Sequence, residues 1–190
     1  LMQGSLALLE RLGLWPALAQ HTGVLRRLRI IDATSGLVRA PEALFEAEDV
    51  GLSAFGHNIE NARLVAALRD QASAQGTIRR FEAPVSRIEP GAERVAATLA
   101  DETSISARLL IGADGRMSMS RAAAGISARS RSYPQAAMTL NIRHTRPHDD
   151  TSTEFHSRGG PFTLVPLPGD RSSVVFVSAP AEIARLMALD

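Results

Sequence analysis

The chain has 190 residues, 21 basic and 20 acidic side chains for a net charge of +1, 45% hydrophobic content and no cysteine. Disulfides and thiolate metal sites are thereby excluded. All 21 cations are arginines, spread along the chain rather than gathered in a stripe, so no nucleic-acid partner is expected. No apolar run reaches bilayer-spanning length and no signal-peptide pattern opens the sequence, which places the expectation on a cytoplasmic protein.

The chain begins at Leu1 and its first dozen residues already read as mid-domain helix, so a fragment of a longer protein is expected. Residues 5–20 set Leu8, Leu9, Leu12, Trp15 and Leu18 near one helical face, with Pro16 kinking or splitting the element. A strand over 24–31 and a hairpin turn at 34–36 into residues 37–40 come next, followed by an acidic loop over 41–54. Residues 61–76 form the clearest helix, with Asn61 as N-cap, a stripe of Leu64, Val65, Leu68 and Ala72, and Gly76 as stop. Four short strands are expected between 77 and 111, at 77–83, 85–90, 94–100 and 104–111. A short helix around 118–124 closes at Gly125. Beyond it, residues 136–144 alternate Met138, Leu140 and Ile142 with polar neighbours, as a half-buried antiparallel strand does. Residues 151–157 read as another strand, and 162–167 with 172–177 as a hairpin about Pro168, Gly169, Asp170 and Arg171. A last helix starts at Pro180. The class is mixed α/β: a nucleotide-binding layer first, then an antiparallel sheet.

The chemistry concentrates at 109–121, an apolar run leading into Gly112-Ala113-Asp114-Gly115 and a helix start. The apolar run reads as a buried strand. Glycine permits a sharp turn and close approach to a ligand, and the free N–H groups of a helix start favour phosphate. Asp114 does not itself suit an anion. It is expected to bond ribose or ribityl hydroxyls or to fix the turn, while Arg116 and Arg121 could neutralise a pyrophosphate.

The stretch LLIGADGRMSMSRAAAGI at 109–126 resembles the Asp-Gly motif of class A FAD-dependent aromatic hydroxylases, the family of the para-hydroxybenzoate hydroxylase fold. There a G-A-D-G-x-x-S-x-x-R pattern follows a strand and lies beside the FAD pyrophosphate. Gly112, Ala113, Asp114, Gly115, Ser118 and Arg121 match it. RLGLWPALA at 11–19, GHNIENARLVAAL at 56–68 and TEFHSRGGPFTLVPLPGDRSSVVFV at 153–177 resemble the ubiquinone-biosynthesis branch, in order and over nearly the whole chain.

The resemblance implies an FAD-binding layer (1–23 and 57–130) and an antiparallel-sheet substrate domain (24–56 and 131–190). It implies a monooxygenase that uses FAD, with NAD(P)H or another electron donor, to hydroxylate an aromatic ring. The ring implied is a polyprenylated phenol of ubiquinone biosynthesis. Such a substrate would suit an enzyme peripheral to the inner membrane or held in a multi-enzyme association. Asn61 or Arg63 would contact the flavin, and Val85 the adenosine half through its backbone. Asp114, Gly115 and Arg121 would sit at the cofactor, and Phe162, Leu164 and Pro166 would roof the substrate. Each has a plainer alternative, Asn61 as a cap and Phe162 and Leu164 as core. The family's N-terminal Gly-x-Gly-x-x-Gly and its second Gly-Asp motif have no counterpart here, so the isolated chain is expected to bind FAD weakly or not at all.

His144, His148, Asp149, Asp150 and His156 crowd one stretch, which reads as a polar turn between strands rather than a metal site. No nucleophile elbow is present, and no catalytic side chain is assigned. A flavin-dependent halogenase or prenyl reductase of the same fold stays open, as does a non-catalytic substrate-binding or interaction module.

Overall fold

The computed structural model describes residues 1–189. In chain order the elements are α1 (Gln3–Arg11), α2 (Trp15–Ala19), β1 (Thr22–Leu25), β2 (Arg27–Asp32), β3 (Ala43–Glu46), a 3-10 turn (Ala47–Val50), β4 (Gly56–Ile59) and α3 (Asn61–Ala74). Then come β5 (Val85–Pro90), β6 (Val95–Leu99), β7 (Ser104–Ala107) and α4 (Met119–Ala123). The chain finishes with β8 (Ala136–Arg143), β9 (Thr151–Ser157), β10 (Gly160–Leu167), β11 (Arg171–Ser178) and α5 (Pro180–Met187). Two compact units result, one of Leu1–Gln75 with Tyr133–Asp190 and the other of Gly76–Ser132.

The first unit is built on a six-stranded sheet of order β3-β2-β9-β10-β11-β8, with β2 parallel to β9 and every other pair antiparallel. The β10–β11 hairpin and the β8 and β9 strands form as the alternation predicts, and Gly169 takes the positive φ of +71° that the tight connection needs. β1 and β4 make a separate two-stranded ribbon. It lies so close to the sheet that a Cβ at Gly23 would stand 2.8 Å from Leu167 Cα and closer still to the Pro166 carbonyl. Leu9, Leu14 and Leu18 bury against Leu1, Trp15, Ile59, Leu64 and Ala67. Burying a leucine side chain contributes about 1.5–3 kcal/mol, so this cluster is what holds α1, α2 and α3 together.

Five expectations are corrected in this unit. The element over 5–20 is split in two, as one expected alternative has it, but at Gly13, whose φ of +69° ends α1, and not at Pro16, which fits in the first turn of α2. Leu8 and Leu12 of the expected stripe are exposed, whereas Leu9 and Leu18 are buried. Residues 24–31 divide between β1 and β2 in different sheets, because the Arg26 and Arg27 amides both bond the Asp150 carbonyl at the crossing point. Residues 37–40 are not a strand. The Asp32 carboxylate takes the Thr34 and Ala40 amides at 2.9 and 2.8 Å, holding a wide loop, and β3 pairs only from Ala43. That strand and the 3-10 turn occupy much of the stretch expected as loop over 41–54. Finally, Asn61 is not the N-cap of α3. Glu60 holds that position in extended conformation without a side-chain cap bond, and Asn61 is the first helical residue.

The second unit is a three-stranded meander, β5-β6-β7, with α4 beside β5. Ala97 and Leu99 are its buried apolar side chains among the described residues. One expected strand does not form and another is shorter than expected. Residues 77–83 are irregular, and the strand expected over 104–111 stops at Ala107. The apolar run expected to be buried instead exposes Leu109 (73%) and Ile111 (81%). An apolar run becomes a buried strand only where partners pair its backbone and cover its faces, and among the described residues none does so here.

Candidate functional site

In the second unit the Asp-Gly turn forms a closed hydrogen-bonded device. Asp114 Oδ1 accepts from Ser118 Oγ at 2.6 Å, and Oδ2 accepts from the Ser120 amide and Ser120 Oγ, both at 2.9 Å. Ser118 in turn is the N-cap of α4, its Oγ accepting the Arg121 amide at 3.0 Å. The Ser118 hydroxyl above all, then the Ser120 amide, holds the Asp114 carboxyl well below the usual carboxylate range. The carboxylate therefore fixes the turn. The two glycines serve different needs. Gly115 supplies a φ of +78° with open space before it, whereas a Cβ at Gly112 would press within 2.8 Å of Ser120 Cβ. The Arg121 guanidinium bonds the Arg116 carbonyl at 2.9 Å, binding the two ends of the turn. Asp114 and Val85 line one cavity of about 530 Å³ together with Ile88, Ile111 and Met117. Arg121 faces a neighbouring one of about 480 Å³.

In the first unit a polar cavity of about 710 Å³ lies where α3 begins. Asn58, Glu60, Asn61 and Arg63 line it from the ribbon and helix, and Thr139, Asn141 and Ser173 from the sheet. Its frame is Glu60. One carboxylate oxygen accepts from Asn141 Nδ2 at 2.9 Å and from an Arg171 guanidinium nitrogen at 2.8 Å, and the other faces Arg63 Nε at 3.4 Å. Arg171 Nε is buried with no acceptor among the described residues. Asn58 Nδ2 adds a bond to the Pro166 carbonyl at 3.2 Å. Glu60 and Arg171 each lie in a stretch that resembles the family, but nothing in either stretch pairs them. They stand 111 positions apart, and only the fold joins them.

Strand register separates the expected substrate residues from this cavity. Successive side chains point to opposite sheet faces. Thr139, Asn141 and Ser173 share the face turned to α3, with Thr163, Val165 and Val175 in register alongside. Phe162, Leu164 and Pro166 belong to the other face. Phe162 stacks obliquely between Phe155 and Phe176 at 5.9 and 6.0 Å. It also lines an apolar cavity of about 300 Å³ with Met138, Leu140, Ile142, Val174, Phe176 and Leu186. Leu164 borders a third, more polar cavity that holds Arg27, Arg29 and Arg146, and Pro166 is fully buried. The structure thus brings Asn61 to Arg63, and Val85 to Asp114, and it leaves the three sheet residues behind the sheet.

The histidine-rich stretch is occupied with local bonding. His144 bonds the Arg146 carbonyl at 2.6 Å and Ser172 Oγ at 3.1 Å. His148 donates to the Leu167 and Gly169 carbonyls and accepts the Asp150 amide, pinning the β8–β9 connection to the β10–β11 turn. No helix among the described residues is long and apolar enough to cross a membrane.

Comparison with known proteins gives the family and the fold. The chain is 32% identical over 183 residues to the ubiquinone hydroxylase UbiL of Rhodospirillum rubrum, covering 96% of this chain and 42% of that protein. It is 28% identical to the 3-demethoxyubiquinol 3-hydroxylase of Escherichia coli, covering 96% of this chain and 46% of that one. The chain thus spans less than half the length of these curated relatives. Among solved structures, Pseudomonas aeruginosa PqsL bound to 2-aminobenzoylacetate superposes with a TM-score of 0.79 at 20% identity, over 98% of this chain and 51% of that one. The mixed α/β fold is accordingly shared with PqsL, which is described as a probable FAD-dependent monooxygenase. The family described as FAD binding domain matches residues 1–185, nearly the whole chain, and the protein belongs to it.

Proposed function

We propose that this chain is part of an FAD-dependent monooxygenase that hydroxylates the ring of a polyprenylated phenol in ubiquinone biosynthesis. The observation that carries the reading is the 32% identity to a ubiquinone hydroxylase over 183 residues. Support also comes from the polar cavity at Asn61, whose volume of about 710 Å³ lies within the usual range for cofactor pockets. Its amide and hydroxyl lining suits the hydrogen-bonding edge of a flat heterocycle. Asn61 and Arg63 are the residues proposed to meet the flavin there. In the second unit Val85, Gly115 and Arg121 are proposed to approach FAD, Gly115 through its uncovered backbone. Asp114, saturated by its own turn, would act mainly by holding that backbone in place.

When bound, FAD supplies the reduced, oxygen-activating chemistry, drawing electrons from NAD(P)H or another donor. What these residues contribute is position and exclusion of water. The ring is proposed to lie against the Thr139, Asn141 and Ser173 face, with Phe162, Leu164 and Pro166 behind it. A prenylated substrate favours a protein working at the surface of the inner membrane or in a multi-enzyme association.

The test uses the full-length parent protein, purified with FAD and given a prenylated phenol and a reductant. Substrate-dependent oxygen uptake with one oxygen atom added to the ring is the expected outcome. Halide-dependent product, or hydrogenation of prenyl double bonds without ring oxidation, would replace the hydroxylase reading.

A further inference from the structure

Two of the amides lining the polar cavity at Asn61 are oriented by partners that can only accept. Asn141 Nδ2 donates to the Glu60 carboxylate at 2.9 Å, and Asn58 Nδ2 donates to the Pro166 carbonyl at 3.2 Å. Either amide turned over would set oxygen against oxygen. Glu60 is itself held, since the oxygen that takes Asn141 also takes Arg171 at 2.8 Å. With each nitrogen committed, Asn58 and Asn141 keep a side-chain oxygen that has no partner among the described residues. The rest of the lining does not discriminate in this way. The Thr139 and Ser173 hydroxyls can rotate to give or to take a proton. Glu60 and Arg63, the charged side chains of the lining, face one another at 3.4 Å. The fixed part of the cavity is therefore made of acceptors, and the group that completes it is a hydrogen-bond donor.

We infer that Asn141 Oδ1 accepts the hydrogen bond of the ring substrate's hydroxyl, and that Glu60 is the positioning residue that keeps the amide turned for it. The inference rests on the reading of the chain as part of a phenol hydroxylase. Of the two fixed amides, Asn141 is the one on the sheet face proposed for the ring, in register with Ser173 of β11. Asn58 comes instead from the β1–β4 ribbon. A ring O–H supplies the proton that Asn141 lacks. A ring carbonyl in the same place meets oxygen with oxygen, and a ring without the hydroxyl leaves the amide oxygen unpaired, which costs binding. Substrate choice at this point is thus set by an amide whose orientation Glu60 dictates, with no charge transferred and no proton moved.

The test uses the full-length parent protein loaded with FAD. Calorimetry compares a prenylated phenol with the same molecule carrying hydrogen in place of the hydroxyl. The unaltered protein is expected to prefer the phenol by about tenfold, the effect of one acceptor left unpaired. Asn141→Leu, close in size but without the oxygen, should abolish that preference, and Asn141→Ala serves if the leucine variant does not fold. Glu60→Gln keeps the shape but can pair with the amide in either orientation, so the preference should fall to about threefold. A merely structural Glu60 would weaken both compounds alike and leave the preference intact, which overturns its positioning role. An unchanged preference in Asn141→Leu overturns the assignment, as does equal binding of the two compounds by the unaltered protein. Weaker FAD binding by Asn141→Leu, read by flavin fluorescence with the preference unchanged, also overturns it, because the oxygen then serves the cofactor. Binding of neither compound, with no oxidation of the phenol, overturns the hydroxylase reading itself.

Discussion

Replacing Glu60 by alanine removes a side chain that joins the start of α3 to both β8 and β11. Its carboxylate holds a 2.8 Å bond from Arg171 and a 2.9 Å bond from Asn141. A hydrogen bond to a charged group contributes about 1.5–3 kcal/mol, and a neutral one about 1 kcal/mol. Side-chain exposures of 35% for Arg171 and 29% for Glu60 put the ion pair at the low end through solvent screening. The loss is partly increased because Arg171 Nε already lacks an acceptor. The expected cost of Glu60→Ala is therefore about 2 kcal/mol. At roughly 2–4 °C per kcal/mol for a chain of this size, Tm falls by about 4–8 °C. Glu60→Gln keeps an amide oxygen for Asn141 and loses only the charge, so about half that is expected. Urea unfolding, read by circular dichroism at low and high salt, measures both. A cycle with Arg171→Ala isolates the pair, with coupling of about 1 kcal/mol that shrinks as salt is added. Glu60→Ala within about 0.5 kcal/mol of the unaltered chain, the level of an ordinary surface change, refutes this reading of the site's frame.

Gly23→Ala drives a methyl into the Pro166 carbonyl, and overpacking against backbone should cost about 1–3 kcal/mol by the same denaturant assay. Leu167→Ala, at a side chain 1% exposed, should cost about 2–5 kcal/mol, and a smaller loss would mean that the sheet closes over the gap. Asp32, held by the Thr34 hydroxyl and then by the Ala40 and Thr34 amides, has its pKa lowered to about 2. A depressed carboxyl stabilises the fold fully above its unfolded value, about 3.9. That contribution is lost as pH falls through about 2. Carboxyl-carbon NMR should show this late midpoint in the folded chain, and an ordinary one would mean that the 33–40 loop is not held. Flavin titration of this chain alone should give weak binding or none, and tight stoichiometric uptake would show that its 190 residues suffice.

The sequence spoke most clearly where one strand or helix could be judged on its own. The alternation of 136–144, the Pro-Gly-Asp turn after Pro166-Leu167 and Pro180 at the head of α5 are local signals, and each became the element expected. Some misses depended on a distant partner, whereas others were local choices that side-chain pattern does not fix, such as the break at Gly13 and the cap at Glu60. Residues 109–111 have strand-like side chains and no strand beside them among the described residues. The return from β2 was displaced to Ala43 because Asp32 ties two amides across the loop, which a Thr-Ser-Gly signal cannot foretell. At the candidate site the Asp114 turn was legible because all its bonds span six residues or fewer. The Glu60–Arg171 frame was invisible for the opposite reason. Alternation also divided the sheet residues correctly into two faces, but only the placement of β1, β4 and α3 shows which face meets Asn61.

The sparse interior of the second unit sets an order of opening. Two buried apolar side chains, Ala97 and Leu99, stand against nine in the first unit among the described residues. Segments with few buried contacts open at lower free energy than the rest of a chain. Since every basic residue is arginine, trypsin finds sites there at Arg79, Arg80, Arg94, Arg108, Arg116, Arg129 and Arg131, all in stretches without helix or strand. Limited digestion should therefore nick this unit first. The six-stranded sheet would be left bracketed by two cut ends, a digestion map written by where the leucines are rather than by where the arginines are.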